Sequence, residues 1–386
     1  MKKKVLMKIF ILIPMILFIS CQNHRPLHKT KEELAKEERE RGNLPGDSNT
    51  VSTTDYSSSP NKIRIISYNV LKYGDGCQGS TNTLHSYLQS IVHFASPDLL
   101  GLVKVNAFKL TKDDASADGA FGFQDDILEN ALNKAFKDRY ACCPTSNFAQ
   151  GNNMNLLFYD KNKFGFSSMV NLCYSETDFD LFKLYIKDHV KPDSLFLYVI
   201  LNHTKSGDKS GKRDEQMTCI MSALKKQFTK LPNVVDMGDF NLHATDEPGY
   251  QALVNGEDQN FRFYDPPFAV DKKITYPANW LDNPENYSAW LTTSTRMDKG
   301  SPNDCGTGGG AKLWFDHILL SSSLTSSSNG IHYVPGSYHT IGNDGKRVGI
   351  SVNDKDTPNK IVPPEIAEAI FNFSNKYPVT LELELK

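Results

Sequence analysis

Four polar clusters in this chain each sit at or near the end of an apolar, strand-like run. Ser67-Tyr68-Asn69 lies near the end of Ile63–Val70, and Asn202-His203-Thr204-Lys205-Ser206-Gly207 closes Leu195–Asn202. Gly238-Asp239-Phe240-Asn241 follows Val234–Met237, and Phe315-Asp316-His317 lies inside Leu313–Leu320. Imidazole and carboxylate exchange protons, and polar groups at strand exits share a rim where a scaffold holds them rigidly. Singly, each has an ordinary structural explanation, because Asn and Asp are common turn residues after a strand. Four such clusters in one chain make a candidate catalytic or binding rim.

The elements that must position these clusters read as a mixture of strands and helices. β-Branched and apolar runs predict further strands at Asp98–Val105, Asn155–Tyr159 and Val379–Leu385. Thr81–Ala95 carries Leu84, Leu88, Ile91 and Val92 at helical spacing, and Gln124–Lys137 carries Ile127, Leu128, Leu132 and Phe136. Arg213–Phe228 and Pro364–Phe373 also read as helices. No internal repeat is evident, and roughly 325 residues after position 60 suffice for one large α/β domain.

The order SYN, PDLLGL, NHTKSG with RDEQ, GDFN and FDHILLS resembles the endonuclease/exonuclease/phosphatase superfamily, the deoxyribonuclease I-like group. The resemblance spans residues 61–386. It implies a four-layer α/β sandwich of two packed mixed β-sheets flanked by helices, cleaving phosphodiesters or phosphomonoesters with Mg²⁺ or Mn²⁺. By motif match, Asn69 supports the metal or the phosphate, and His203 contacts the phosphate, oriented by Asp316. Asp239 orients or activates water, and Asn241 helps hold the phosphate.

Three family positions depart from the pattern. The strand that usually reads GLQEV, with glutamate as principal metal ligand, here has Val103 and Lys104. The closing SDH-x-P motif is Ser374-Asn375-Lys376-Tyr377-Pro378, so Asn375 replaces aspartate and Lys376 replaces histidine. Hard cations require oxygen ligands, and lysine offers none. Two unit charges 4 Å apart at an effective dielectric near 20 repel by about 4 kcal/mol, and more for a divalent ion. An amine with an unperturbed pKa near 10.4 is also poorly matched to proton transfer at neutrality.

The N-terminus reads as an export signal. Lys2, Lys3, Lys4 and Lys8 precede an apolar stretch too short to span a bilayer, ending Leu17-Phe18-Ile19-Ser20-Cys21. This resembles the lipobox of bacterial lipoproteins and implies cleavage after residue 20 with lipid on Cys21. The expected location is the outer membrane or periplasmic face. Residues 21–60 combine a dense run of mixed charge with Ser-, Pro- and Gly-rich sequence, the composition of a flexible tether. The whole sequence has a formal charge of −2, and the leader holds four lysines and no acid, leaving the remainder near −6. That argues against a generally basic nucleic-acid binder while leaving room for a local basic cleft. Six cysteines remain after Cys21, in a compartment that permits disulfides of unspecified pairing.

Gly306–Lys312 has the glycine content but not the spacing of a phosphate loop and is expected to be a turn, as is Gly342–Gly345. Tyr276, Trp280, Tyr287 and Trp290 fall in a Pro/Asn-rich insert suited to packing beneath a loop or to a binding rim. Three functions fit the sequence. One is a degenerate domain binding an anionic or phosphorylated ligand, or a protein partner. Another is a phosphodiesterase or endonuclease with a rearranged site, and the third is a structural surface protein.

Overall fold

The computed structural model describes residues 56, 59–107, 123–187, 195–266, 288–298, 305–326 and 330–386. The expected leader and Cys21 lie outside these residues, as does the tether apart from Tyr56, Ser59 and Pro60. Tyr56 packs edge-on to Phe94 and hydrogen-bonds His339.

The first sheet contains β1 (Lys62–Tyr73), β2 (Leu99–Asn106), β3 (Tyr140–Cys142) and β4 (Asn153–Asp160). The second contains β5 (Phe164–Tyr174), β6 (Asp178–Ile186), β7 (Phe196–His203), β8 (Val234–Asp239), β9 (Phe263–Tyr264) and β10 (Asp316–Ser321). The chain then returns to the first sheet through β11 (Ile331–Tyr333), β12 (His339–Thr340) and β13 (Val379–Leu385). Strand orders are β11-β13-β1-β2-β4-β3, with β12 also on β13, and β5-β6-β7-β8-β10-β9. Both sheets mix parallel and antiparallel pairs: β1 with β2 and β7 with β8 are parallel. This is the expected α/β sandwich of two mixed sheets flanked by helices.

Each sheet buries one face against the other. Ile65, Val103, Leu201, Met237, Ile318 and Leu381 fill the space between them. At Gly101 the sheets come so close that an added Cβ would lie 2.5 Å from Leu201 and 2.6 Å from Met237. The outer faces are covered by helices. On the first sheet, α1 (Thr81–Ala95) presents Leu84, Leu88, Ile91 and Val92, capped by the Ser80 side chain. Beside it, α2 begins at Gln124–Ile127, passes through a π turn at Leu128–Leu132 and ends at Ala135. The second sheet is covered by α3 (Ser210–Gln227), through Met217, Ile220, Met221 and Leu224, and by α4 (Pro248–Val254). The last helix, α5 (Pro364–Phe373), packs with α1 on the first sheet.

Three readings of the sequence need correction. The hairpin β5–β6 was not expected; β5 is the edge of its sheet, and its half-exposed SSMVNLCY stretch lacks a continuous apolar run. The late strand starts at Asp316 rather than Leu313, so Asp316 stands at its entrance. The helix expected to reach Lys137 is interrupted by the π turn and stops two residues sooner.

Candidate functional site

Parallel pairing of β7 with β8 brings His203 level with Asp239, and antiparallel pairing of β8 with β10 sets Asp316 opposite Asp239. The end of β1 supplies Asn69 from the facing sheet. Gly238 makes the juncture possible, because at φ +149° any Cβ there would sit 1.8 Å from the Asn202 carbonyl oxygen. Asn241 turns the chain away in a left-handed conformation, φ 48°, which Asn tolerates better than most residues.

Asp239 is the hub. Its Oδ1 accepts from the Asn241 amide at 2.9 Å, and its Oδ2 accepts from Asn69 Nδ2 at 2.7 Å. The Lys376 ammonium lies 3.1 Å from the same Oδ2. Burial opposes ionisation of Asp239, but Lys376, then His203 and Lys104, outweigh it and hold the carboxyl below its usual range. Asn241 Nδ2 donates to the Thr204 carbonyl at 3.0 Å, tying the ends of β7 and β8 together.

Lys376 is only 6 % exposed. Besides Asp239 it faces Asp316 Oδ2 at 3.7 Å and lies over the Phe315 ring, 4.4 Å from its centre. Asp316 is fully buried, and neither carboxylate oxygen accepts a hydrogen bond. Burial pushes its carboxyl up to about 7, with Lys376 pulling the other way and Asp239 adding to the rise. The expectation that Asp316 orients His203 is therefore corrected: Asp316 faces Lys376, and His203 Nδ1 has no partner. Burial is the main reason the His203 imidazole is pushed down to about 4; Asp239 opposes this, and Lys104 and Lys376 add to it. The ring is thus neutral at physiological pH.

Lys104 sits on a bulge of β2, where the pairing with both β1 and β4 shifts register, in a left-handed conformation at φ 65°. Leu71 and Lys72, on the matching irregularity of β1, are also left-handed at φ 45° and 58°. Such backbone costs about 1–3 kcal/mol per residue and clusters at functional sites. Lys104 forms no ion pair with any described residue, although Asp239, Lys376, Lys72 and Asp316 all act on it. Burial lowers its basicity; Asp239 resists this, and Lys376 and Lys72 add to it.

Asn375 is drawn aside. Its Nδ2 donates to Thr307 Oγ1 at 2.8 Å, within the Gly306–Lys312 turn. The Cys77–Cys305 disulfide ties the loop after β1 to the start of that turn. Ser374 is structural, donating to the Asn69 carbonyl at 2.8 Å and accepting from the Lys376 amide at 3.1 Å.

Reading the sequence missed Thr292, Phe315 and Lys72. Thr292 Oγ1 accepts from the amides of Phe315 and Asp316, both at 3.1 Å, and its carbonyl accepts from the Tyr377 amide at 2.9 Å. One residue thereby aligns both partners of the Asp316–Lys376 pair, and no local motif marks it. Of the four aromatics in the insert, Tyr276, Trp280 and Tyr287 lie outside the described residues, and Trp290 packs against the core.

The donor set does not fit Mg²⁺ or Mn²⁺. Asn69, expected as a weak metal position, has its Oδ1 committed to the Leu71 amide at 2.9 Å. Asp239 has both oxygens engaged, and Lys104 contributes an amine where a carboxylate is needed. Among the described residues no group of three His, Cys, Asp or Glu side chains is gathered for a metal.

At the sequence level, no family model and no curated protein matches the chain. Among solved structures it is similar to the human Nocturnin catalytic domain with bound sulfate anion, at TM-score 0.50 and 13% identity. That match covers 85% of this chain and 96% of the other. D. rerio TDP2 complexed with a single-strand DNA product aligns at TM-score 0.48 and 14% identity, over 84% and 99%. An endonuclease/exonuclease/phosphatase family protein from Bacteroides thetaiotaomicron aligns at 0.48 and 14%, over 86% and 97%. At such identities likeness speaks of architecture alone, and here the architecture is that of the deoxyribonuclease I-like, endonuclease/exonuclease/phosphatase fold.

Proposed function

We propose that this domain is a lysine-based, metal-independent receptor for an anionic, phosphorylated ligand, and that it has lost efficient hydrolysis. The observation that carries the reading is the position of Lys376, 3.1 Å from Asp239 and 3.7 Å from Asp316. An internal ammonium already neutralises the carboxylates that would otherwise call for a divalent ion. With Asp316 tending toward its neutral form, Lys376 balances Asp239, and Lys104 adds a further cation and N–H donors. Ammonium groups and N–H donors aimed at one rim suit a phosphate. The sulfate bound by the human Nocturnin domain is compatible with anion affinity in this fold.

A second reading, phosphodiester cleavage at a rearranged site, draws on one observation. Neutral His203 has an unpartnered Nδ1 beside the ionised Asp239, a pairing able to accept a proton from water.

Titration calorimetry of the purified chain in chelator distinguishes the two. Inorganic phosphate or a nucleoside monophosphate binds without metal in the receptor reading, and a chromogenic diester is turned over in the other. Failure of both phosphates to bind at low ionic strength would leave a structural role, or docking of a protein partner, in its place.

The same proposal places the domain outside the cell membrane, lipid-anchored through Cys21. Mass spectrometry of the membrane fraction should find a diacyl or triacyl group on Cys21 as the first residue. A soluble mature protein beginning elsewhere would overturn that placement.

A further inference from the structure

Four cysteines remain free among the described residues. Cys142 and Cys143 are chain neighbours but enter different cores, Cys142 under the helices of the first sheet and Cys143 between the sheets. Burial pushes both thiols up, and buried thiols of this kind are inert.

Cys173 and Cys219 are placed differently. Cys173 lies near the end of the edge strand β5, and Cys219 lies on α3, which packs against that strand. Both are half-buried, and both line a cavity of about 280 Å³ whose wall they share with Ser175, Glu176 and Gln216. The two side chains hydrogen-bond each other. The pairing of β5 with β6 shifts register between Asn171 and Cys173. A bulge of this kind re-aims a side chain, here toward the helix that carries the second sulfur.

Two reachable thiols in contact on separate elements are the starting point from which exchange closes a disulfide. The chain also carries the Cys77–Cys305 disulfide, a bond that persists in oxidising compartments. We propose that Cys173 and Cys219 are a redox-active pair that closes a second, reversible disulfide between β5 and α3. The inference stands independently of what the neighbouring rim binds.

The oxidant is a small-molecule or protein disulfide. One cysteine thiolate attacks a donor sulfur, forming a mixed disulfide and releasing the donor's first thiolate. The other cysteine thiolate then attacks the protein sulfur of that mixed disulfide, closing the Cys173–Cys219 bond and releasing the donor's second thiolate. The two cysteine protons end on the two released thiolates, so the protein loses two electrons and the donor gains them.

This bond braces a junction already made by hydrogen bonds. One turn before Cys219, Gln216 donates to Ser175 Oγ at 2.7 Å and accepts from the Lys205 amide at 2.8 Å. Lys205 pairs with Glu176 at 2.6 Å, and Thr177 Oγ1 donates to the His203 carbonyl at 3.0 Å. The clasp therefore fixes the two elements on which the His203–Gly207 segment rests.

The full chain is equilibrated with glutathione and glutathione disulfide at graded ratios, alkylated and mapped by peptide mass spectrometry. A Cys173–Cys219 linkage is expected, opening again as the ratio is reversed. Cys173→Ser and Cys219→Ser, checked for folding by circular dichroism, should each trap glutathione on the cysteine that is left. In glutathione disulfide, wild type should melt about 5 °C above Cys219→Ser, and in excess reductant the two should coincide. Cys77–Cys305 is common to both proteins, so the comparison isolates the new bond. Both thiols still open to alkylation in glutathione disulfide would overturn the proposal. So would glutathione persisting on either cysteine of wild type without a linkage, or a bridge from either one to any other cysteine.

Discussion

The two ends of the packed pair of sheets both bury charge, and they do so in opposite ways. At the end where β1 and β2 begin, Asp98 receives Arg139 at 2.9 Å, Lys163 at 3.0 Å and the Arg64 amide at 2.8 Å. Arg139 also holds Asp160 at 2.7 Å, and Glu382 bridges Lys62 at 2.9 Å and Arg64 at 2.8 Å. At the other end Asp316 has no hydrogen bond, His203 Nδ1 has none, and Lys104 has no ion pair among the described residues. A closed network specifies structure. An open one of similar burial holds groups in reserve for something that arrives.

Breaking the closed end should have the largest effect. Arg139→Met leaves Asp98 and Asp160 short of a shared partner, and removing one member of a buried pair costs about 3–5 kcal/mol. Urea denaturation should show that loss, while phosphate affinity of the protein that remains folded is unchanged. A loss under about 1 kcal/mol would mean that the network is solvent-screened like a surface pair, and the contrast between the two ends would disappear.

At the open end, the departures from the family pattern can be reversed. The triple change Lys104→Glu, Asn375→Asp, Lys376→His is expected to raise divalent-dependent diester hydrolysis by about 100-fold or more, the range of one general acid–base group. Single reversions should achieve much less, since groups acting as one unit are not additive. Lys104→Glu alone should raise Mg²⁺ affinity above the millimolar level expected for wild type, without turnover. A folded triple variant that binds metal and remains silent would show that the cleft has diverged beyond these three residues.

How much of this was legible in the sequence depends on the range of each interaction. β1, β2, β7 and β8 announce themselves as β-branched, apolar runs because they are largely buried on both faces, and β13 by the alternation of apolar and polar residues in VTLELEL. Asn69, His203, Asp239 and Asn241 were recognisable because a strand exit and its turn are local. The Asp316–Lys376 pairing joins residues sixty positions apart, and neither side chain carries a sign of its partner. Thr292 was invisible for the same reason, since its role is made by contacts to β10 and to the Tyr377 amide. The Asn375–Thr307 contact likewise depends on a glycine turn and a disulfide that place the two together.

Lys376→Met tests whether the open end tolerates loss of a charge better than the closed end does. The expected cost is about 1–3 kcal/mol, the desolvation penalty of a buried polar group left unsatisfied, and less than for Arg139→Met. The difference arises because Asp316 has a carboxyl already pushed up to about 7 and can take up a proton instead. The penalty in the variant should therefore shrink as pH is lowered from 8 to 6. A penalty independent of pH would show that Asp316 is not the group absorbing the change.

The smallest effect is expected behind the site, at Asp236. This carboxyl is fully buried on β8, with Oδ1 receiving Asn202 Nδ2 at 2.9 Å and Oδ2 without a partner. Burial pushes it up to about 7, with the Asn202 hydrogen bond pulling slightly the other way. In the unfolded chain the same group titrates near 3.9, so the folded state holds its proton more tightly. Its contribution to stability is complete below about pH 4 and is lost as pH rises through about 7. Asp239, held below its usual range by Lys376, works in the opposite sense, adding stability above about pH 4 that disappears in acid. Asp236→Asn removes the first of these dependences and leaves the second. Thermal melts should coincide with wild type near pH 4 and rise progressively above it as pH is raised through about 7. Phosphate binding should be unaffected, because Asp236 touches Asn202 and none of the groups at the rim. If wild type and variant keep the same spacing from pH 5 to 8, the Asp236 proton is not retained on folding, and the carboxylate must reach water or a partner that Asn202 does not account for.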